Sequence, residues 1–161
     1  YGIRAERMGD KTLRVRPARI SDLTTIIDFI EEEAMEAEGR TPDRATLERG
    51  IGTALIDDSI AKYWLLVDDA DVACGCTSVV KEWSDWNAGF YWWIQSMYIA
   101  PAHRGKGYLD VLIGTVADAA RDERCLELRL YVHNQNKSAI RAYEKVGFTN
   151  SPYVIMSKQG G

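Results

Sequence analysis

The chain has no apolar run approaching the roughly 20 residues that span a bilayer, so no membrane-crossing helix is expected. Cysteine and histidine are scarce. Cys74, Cys76 and Cys125 are odd in number and widely spread, which excludes a disulfide framework. Cys74 and Cys76 are two apart on an expected strand and so face one side. With only His103 and His133 to join them, buried structural thiols are expected rather than metal ligands, in a reducing, cytoplasmic setting. Repeats, linkers and low-complexity tracts are absent. Positive charge is not in excess: the formal net charge of -4 argues against nucleic acid as the main partner. The opening residues Tyr1, Gly2, Ile3 and Arg4 lack the shape of a signal peptide. Residues 1–12 read as a flexible or trimmed start. What is present is an ordinary globular mixture, 46% hydrophobic and 27% charged over 161 residues, enough for one domain with a full core.

Periodicity gives the element order. Leu13, Arg14, Val15 and Arg16 read as a strand stopped by Pro17. Ser21 is the expected cap of a helix that buries Leu23, Ile26, Ile27, Ile30 and Ala34 and ends at Gly39. Its glutamates, Glu31, Glu32, Glu33, Glu36 and Glu38, read as a solvated face. Thr41 and Pro42 open a second helix with Leu47, Ile51 and Leu55 inward, weakened by Gly50 and Gly52. Strands follow at 63–67, 72–80 and 90–99, joined by a tight turn at 68–71 and a tryptophan-rich loop at 83–89. A helix then runs from 109 to about 124 on the stripe Leu109, Leu112, Ile113, Val116, Ala117 and Ala120. A strand at 126–132, a helix at 137–146 and a last strand at 153–156 complete a mixed sheet with helices on both faces, an α+β design.

The chemistry concentrates between the strand at 90–99 and the helix after it. Residues 100–107 hold a proline, the basic residues Arg104 and Lys106, and Gly105 and Gly107. Such a turn aims backbone N–H groups from the positive end of a helix dipole, which suits a phosphate or diphosphate. Two nucleotide motifs fail here. A P-loop needs Ser or Thr after the lysine, where Gly107 stands, and a glycine at position 100, where Ala100 stands. A dinucleotide loop needs a third glycine where Asp110 stands.

The run Arg104-Gly105-Lys106-Gly107-Tyr108-Leu109 resembles the acyl-CoA loop of the GCN5-related N-acetyltransferases, with Leu109 where a small residue is usual. Asn136, Ala142, Tyr143, Glu144, Lys145, Gly147 and Phe148 resemble that family's second signature, in the same order along the chain. The resemblance implies a fold in which two parallel strands part to admit the pantetheine arm of acetyl-CoA. It implies that the backbone N–H groups of Arg104, Gly105, Lys106, Gly107, Tyr108 and Leu109 hold the diphosphate. Met97, Tyr98 and Ile99 would pair with the pantetheine amides, and one of their N–H groups would polarise the thioester carbonyl. Asn136 would hydrogen-bond the pantetheine. Tyr143, two helical turns or about 10.5 Å along the axis from Asn136, would protonate the departing thiolate. The bland readings stand beside these: Asn136 as a helix cap, Tyr143, Met97, Tyr98 and Ile99 as core.

The base that would deprotonate an attacking ammonium is not legible. The family often places a carboxylate on the splayed strand, where this chain has Trp93 and Gln95. Glu36, Glu82, Asp85 and His133 are candidates, beside a water chain or capture of the free-amine fraction. Trp83, Trp86, Trp92 and Trp93 read as core and sheet-edge packing, with an aromatic wall for a cationic amine as the functional alternative. The expected activity is transfer of an acetyl group from acetyl-CoA to a primary amine, a small molecule or amino acid, by direct attack in a ternary complex. The partners are those two substrates, with a homodimer expected. The alternatives are a non-catalytic acyl-CoA-binding module and a protein acetyltransferase.

Overall fold

The computed structural model describes residues 5–8 and 11–160. It shows a six-stranded mixed sheet in sequential order, β1 to β6. β1 (Ala5–Met8) and β2 (Lys11–Pro17) form an antiparallel pair, so the sheet starts earlier than Leu13; the expectation for residues 1–4, 9 and 10 lies outside the described residues. The chain divides into two compact units, Tyr1–Tyr131 and Val132–Gly161.

In the first unit, α1 (Leu23–Glu38) and α2 (Arg44–Ile56) cover one face of the sheet. Ile26 and Ile27 from α1 and Ile51 from α2 pack with Leu65, Val67, Cys76 and Tyr98 in one buried cluster. The Cys74 and Cys76 thiols are free and buried. β3 (Lys62–Val67) is buried on both faces from Trp64 to Val67, as a central strand should be. Lys62 faces away from Tyr63 by strand alternation and bonds Glu123 at the end of α3 (Tyr108–Asp122), so the helices do lie on both faces.

Two helix starts differ from expectation. Ser21 does not cap α1; a 3-10 turn, Ile20–Asp22, leads into it, and the Asp22 carboxylate accepts the Arg19 N–H at 2.7 Å. Thr41 does not cap α2. Asp43 does, because its carboxylate takes both the N–H and the hydroxyl of Thr46 at 2.9 Å and carries a full charge at the positive helix end.

Asp22 has a larger task. The buried Arg16 guanidinium donates to both Asp22 oxygens, at 2.8 and 3.0 Å, and to Asp71 in the β3–β4 turn. Hydrogen bonding to Arg16 holds both carboxyls below the usual aspartate range. Arg16→Met strands the nearly buried Asp22 charge, and the expected loss is about 3 kcal/mol at neutral pH, or roughly 6–12 °C in the unfolding midpoint. A carboxylate with a depressed native pKa contributes stability above its unfolded value and loses it as pH falls through the folded one. Thermal unfolding of both proteins should therefore converge as the pH drops below about 4.

β4 (Ala73–Ser84) and β5 (Gly89–Ile99) form the longest pairing, and the register shifts between Ser78 and Val79 so that Gln95 bulges from β5. The Thr77 hydroxyl donates to the Ser96 carbonyl at 2.9 Å and braces the bulge. β6 (Glu127–Leu130) pairs in parallel with β5 only from Tyr91 to Ile94. Beyond Ile94, β5 runs on to Ile99 with β4 as its one strand neighbour among the described residues.

The second unit holds α4 (Lys137–Lys145). The strand expected at 153–156 is absent: residues 151–160 form no helix or strand, and Tyr153, Val154, Ile155 and Met156 are exposed. Apolar β-formers make a strand only where an edge accepts their hydrogen bonds, and none pairs with them among the described residues.

Candidate active site

The loop from β5 to α3 begins by folding back onto β4, with the Ala100 N–H donating to the Cys74 carbonyl at 2.8 Å. Gly105 and Gly107 have φ of 73° and 85°, left-handed values that favour glycine. A Cβ on Gly105 would meet open space. Gly107 is the residue before α3 and makes no side-chain cap, so the first-turn N–H groups of α3 have no intrahelical acceptor. Arg104, Gly105, Lys106 and Gly107 are exposed, as an anion cradle requires.

The loop is tied to the strand that precedes it. Arg104 Nε donates to the Ile99 carbonyl at 2.7 Å, and its Nη2 reaches both oxygens of Glu36 at 2.9 and 3.0 Å. The Arg104 guanidinium also lies 5.4 Å from the centre of the Tyr98 ring. Arg104 thus orients the loop through its side chain, and Glu36 is engaged in that ion pair. At the helix start the inward residue is Tyr108, not Leu109 as the periodicity suggested. Tyr108 is buried and its ring lies near His103, while Leu109 is half-buried. Val111 joins the buried stripe for the same reason.

The end of β5 carries the other half of this site. Tyr98 is buried, and its hydroxyl hydrogen-bonds Glu32; burial first, then that carboxylate, push the phenol up to about 12. The Met97 N–H points instead at Glu33, whose Oε1 accepts it at 3.4 Å. Glu33 belongs to a cleft of about 820 Å³ between α1, α2 and strands β3 to β5, lined there by Tyr63, Gln95 and Ser96. Burial raises the Glu33 carboxyl to about 7, the Met97 N–H opposing and the Glu36 charge adding to the shift.

Glu32, Glu36 and Glu38 of α1 are exposed, as the sequence suggested, but the face is not merely solvated. Glu31 pairs with Arg44, Glu32 with Tyr98, Glu36 with Arg104, and Glu33 enters the cleft. The signal that could have found Glu33 is its place on the helical stripe of Ile26, Ile30 and Ala37, a carboxylate in an apolar row, which its charge overrode.

The remaining candidates are placed elsewhere. Glu82 accepts from Trp93 Nε1 at 3.2 Å and lies 3.7 Å from Arg129. Asp85 sits in the exposed β4–β5 turn. The tryptophans do not form one cluster. Trp92 is buried, and its ring faces the chain's own Lys81 and Lys62, with Nζ 4.9 and 5.6 Å from the centroid. Trp93 stacks on Tyr131 at 4.4 Å. Trp83 and Trp86 are exposed, the former edge-on to Phe90 across the turn. Trp83 stands at the end of β4 opposite Phe90 and Trp86 on the turn that follows.

Within the second unit, the Asn136 side-chain oxygen accepts the Ala139 N–H at 3.1 Å and caps α4, leaving an amide with two donors. The Tyr143 ring packs edge-on to Phe148 at 5.7 Å, and the chain turns there at Gly147 with φ 100°. The His133 Nδ1 accepts from the Gln135 N–H at 3.2 Å. Among the described residues no group of three or more His, Cys, Asp and Glu side chains could hold a metal, and no helix is long and apolar enough to cross a membrane.

Sheet order, the end of the parallel β5–β6 pairing at Ile94 and the glycine loop at α3 together describe an acyl-CoA N-acyltransferase fold. The model of the acetyltransferase (GNAT) family matches residues 24–148, and the chain belongs to that family. A solved structure described as a possible acetyltransferase from Clostridium difficile 630 is similar over 92% of this chain and 97% of that one, with 31% identity and a TM-score of 0.86. Among curated proteins the chain is similar to streptothricin acetyltransferase of Streptomyces lavendulae, 41% identical over 80 residues. That match takes in half of this chain and 40% of the relative. It is also similar to thialysine N-epsilon-acetyltransferase of Mus musculus, 27% identical over 83% of this chain and 82% of the relative.

Proposed function

We propose that the chain is an acetyl-CoA-dependent N-acetyltransferase in which a primary amine attacks the thioester directly while both substrates are bound. The observation that carries this reading is the pinning of the Gly105–Gly107 loop to the end of β5 by Arg104, beside the stretch where β6 has ended. One end of that arrangement offers helix N–H groups to a diphosphate, and the other offers unpaired strand edge to a pantetheine arm. Tyr143 acts as the acid that protonates the leaving thiolate, and Asn136 contributes its amide donors to the pantetheine. An amine acceptor agrees with the acidic cleft: Glu33 and Glu38 line it against a single Arg40. The name of one curated relative, thialysine N-epsilon-acetyltransferase, points the same way, to acetyl transfer onto an ε-nitrogen.

The test is thiol release from acetyl-CoA against thialysine, lysine and streptothricin. The expected result is amine-dependent CoA formation with an acetylated product of matching mass. Saturable acetyl-CoA binding with no release across the three would make the chain a binding module.

A further inference from the structure

Glu33 is the one carboxylate that joins the cleft to the strand end assigned to the thioester. We propose that Glu33 is the proton acceptor for the attacking amine, and that the arriving thioester carbonyl displaces it from the Met97 N–H into that role. This rests on the reading of the Met97–Ile99 backbone as the thioester subsite.

The geometry supports it in two ways. Glu33 Oε1 already occupies the N–H that would stabilise the oxyanion, at 3.4 Å, so a carbonyl bound there lies next to the carboxylate. The same side chain lines the cleft with Tyr63, Gln95 and Ser96, where an acceptor has room to approach the carbonyl carbon. Glu36 cannot serve as well, because both of its oxygens hold Arg104.

The protons balance. Of the three on an alkyl ammonium, one goes to Glu33 and leaves for solvent, and the nitrogen lone pair then forms the N–C bond. The C–S bond breaks with its electron pair on sulfur, which takes a proton from Tyr143. A second ammonium proton, lost as the adduct collapses, restores Tyr143, and the third stays on the amide.

The surroundings tune the same group. Burial brings Glu33 to about 7 from 4.5, roughly a 300-fold stronger base. Glu36 on α1 adds to the rise, and the Met97 N–H opposes it. Tyr63 from β3 and Cys76 from β4 face it, and both are themselves pushed up, chiefly by burial. Glu38 and Arg40 line the same cleft, and α2 contributes no titratable side chain to it. Loss of the Met97 hydrogen bond to the donor removes the opposing influence, so a loaded enzyme carries a stronger base than a free one.

The experiment compares wild type, Glu33→Gln and Glu33→Asp with thialysine, lysine and streptothricin as acceptors, beside acetyl-CoA titration and thermal unfolding. For wild type at saturating acetyl-CoA, kcat/KM for the amine should rise with pH through an apparent pKa at or above the value of about 7 that burial gives the free enzyme. Glu33→Gln should lose that limb, follow only the amine's own titration, and fall about 100-fold at neutral pH. Its acetyl-CoA affinity should stay unchanged or tighten. Glu33→Asp should keep the limb and recover part of the rate. A Glu33→Gln enzyme with wild-type rates, or with the limb intact, overturns the proposal and leaves the transferase reading standing. Acetyl-CoA binding without turnover on any of the three amines overturns both.

Discussion

Gly107→Val raises the dissociation constant for acetyl-CoA about a thousandfold. Gly107 holds φ 85° at the residue before α3, a conformation that a β-branched side chain adopts only under strain. The strained backbone also turns the loop N–H groups away from the proposed diphosphate site. Two charge-assisted hydrogen bonds lost at about 1.5–3 kcal/mol each correspond to a 10²–10⁴-fold weakening. The fold should survive, because the loop is exposed and the buried α3 stripe of Tyr108, Val111, Leu112 and Val116 is untouched. Calorimetric titration with acetyl-CoA, with circular dichroism to confirm folding, checks it. Wild-type affinity in the valine variant would remove the loop from cofactor binding.

Tyr143→Phe should lower kcat by about 10²–10³-fold while changing acetyl-CoA affinity less than threefold. The substitution keeps the ring that packs edge-on to Phe148 and deletes only the hydroxyl, so the local turn at Gly147 is preserved. A thiol with ordinary pKa near 8.5 and a phenol near 10 are close enough for proton transfer in the collapse of the adduct. Losing the donor forces the thiolate to leave unprotonated, which raises the barrier without touching the ground state. Rapid-mixing measurement of CoA release under saturating amine separates the two quantities. An unchanged kcat would take Tyr143 out of the chemistry.

The parts of the fold that sequence discloses are those where pattern and packing agree. The α3 stripe is legible from its helical period, β3 from its continuous apolar run, β5 from its alternation, and the glycine loop from its spacing. Legibility fails where a residue obeys the period with the wrong chemistry. Glu33 shares the row of Ile26 and Ile30, yet charge alone assigned it to solvent with its neighbours. Arg16 reads only as part of the first strand, yet Asp22, six residues on, and Asp71, from the β3–β4 turn, converge on it. Tyr108 and Val111 join the expected Leu112, Ile113, Val116 and Ala120 in the core, while Leu109 is half-buried, because the buried face is wider than the apolar stripe and takes in a tyrosine at the first turn. Residues 153–156 have the composition of a strand and no edge to join among the described residues. Trp83 and Trp86 have the composition of a core and stand exposed, one at the end of β4 and the other on the turn after it.

The family signatures make the proposed donor side readable, since a backbone cradle leaves glycines at fixed spacing. The proposed acceptor side leaves no such trace. It is assembled from single side chains on α1, α2 and three strands, and only the fold brings Glu33 to the Met97 N–H.

Electron density for acetyl-CoA soaked into crystals of the protein tests the central claim most directly. The diphosphate oxygens should lie within about 3.2 Å of N–H groups from residues 104–109, with the thioester carbonyl on the Met97 N–H and the Glu33 carboxylate moved off it. A cofactor bound away from the head of α3, or a Met97–Glu33 hydrogen bond that persists beside bound acetyl-CoA, would contradict the account.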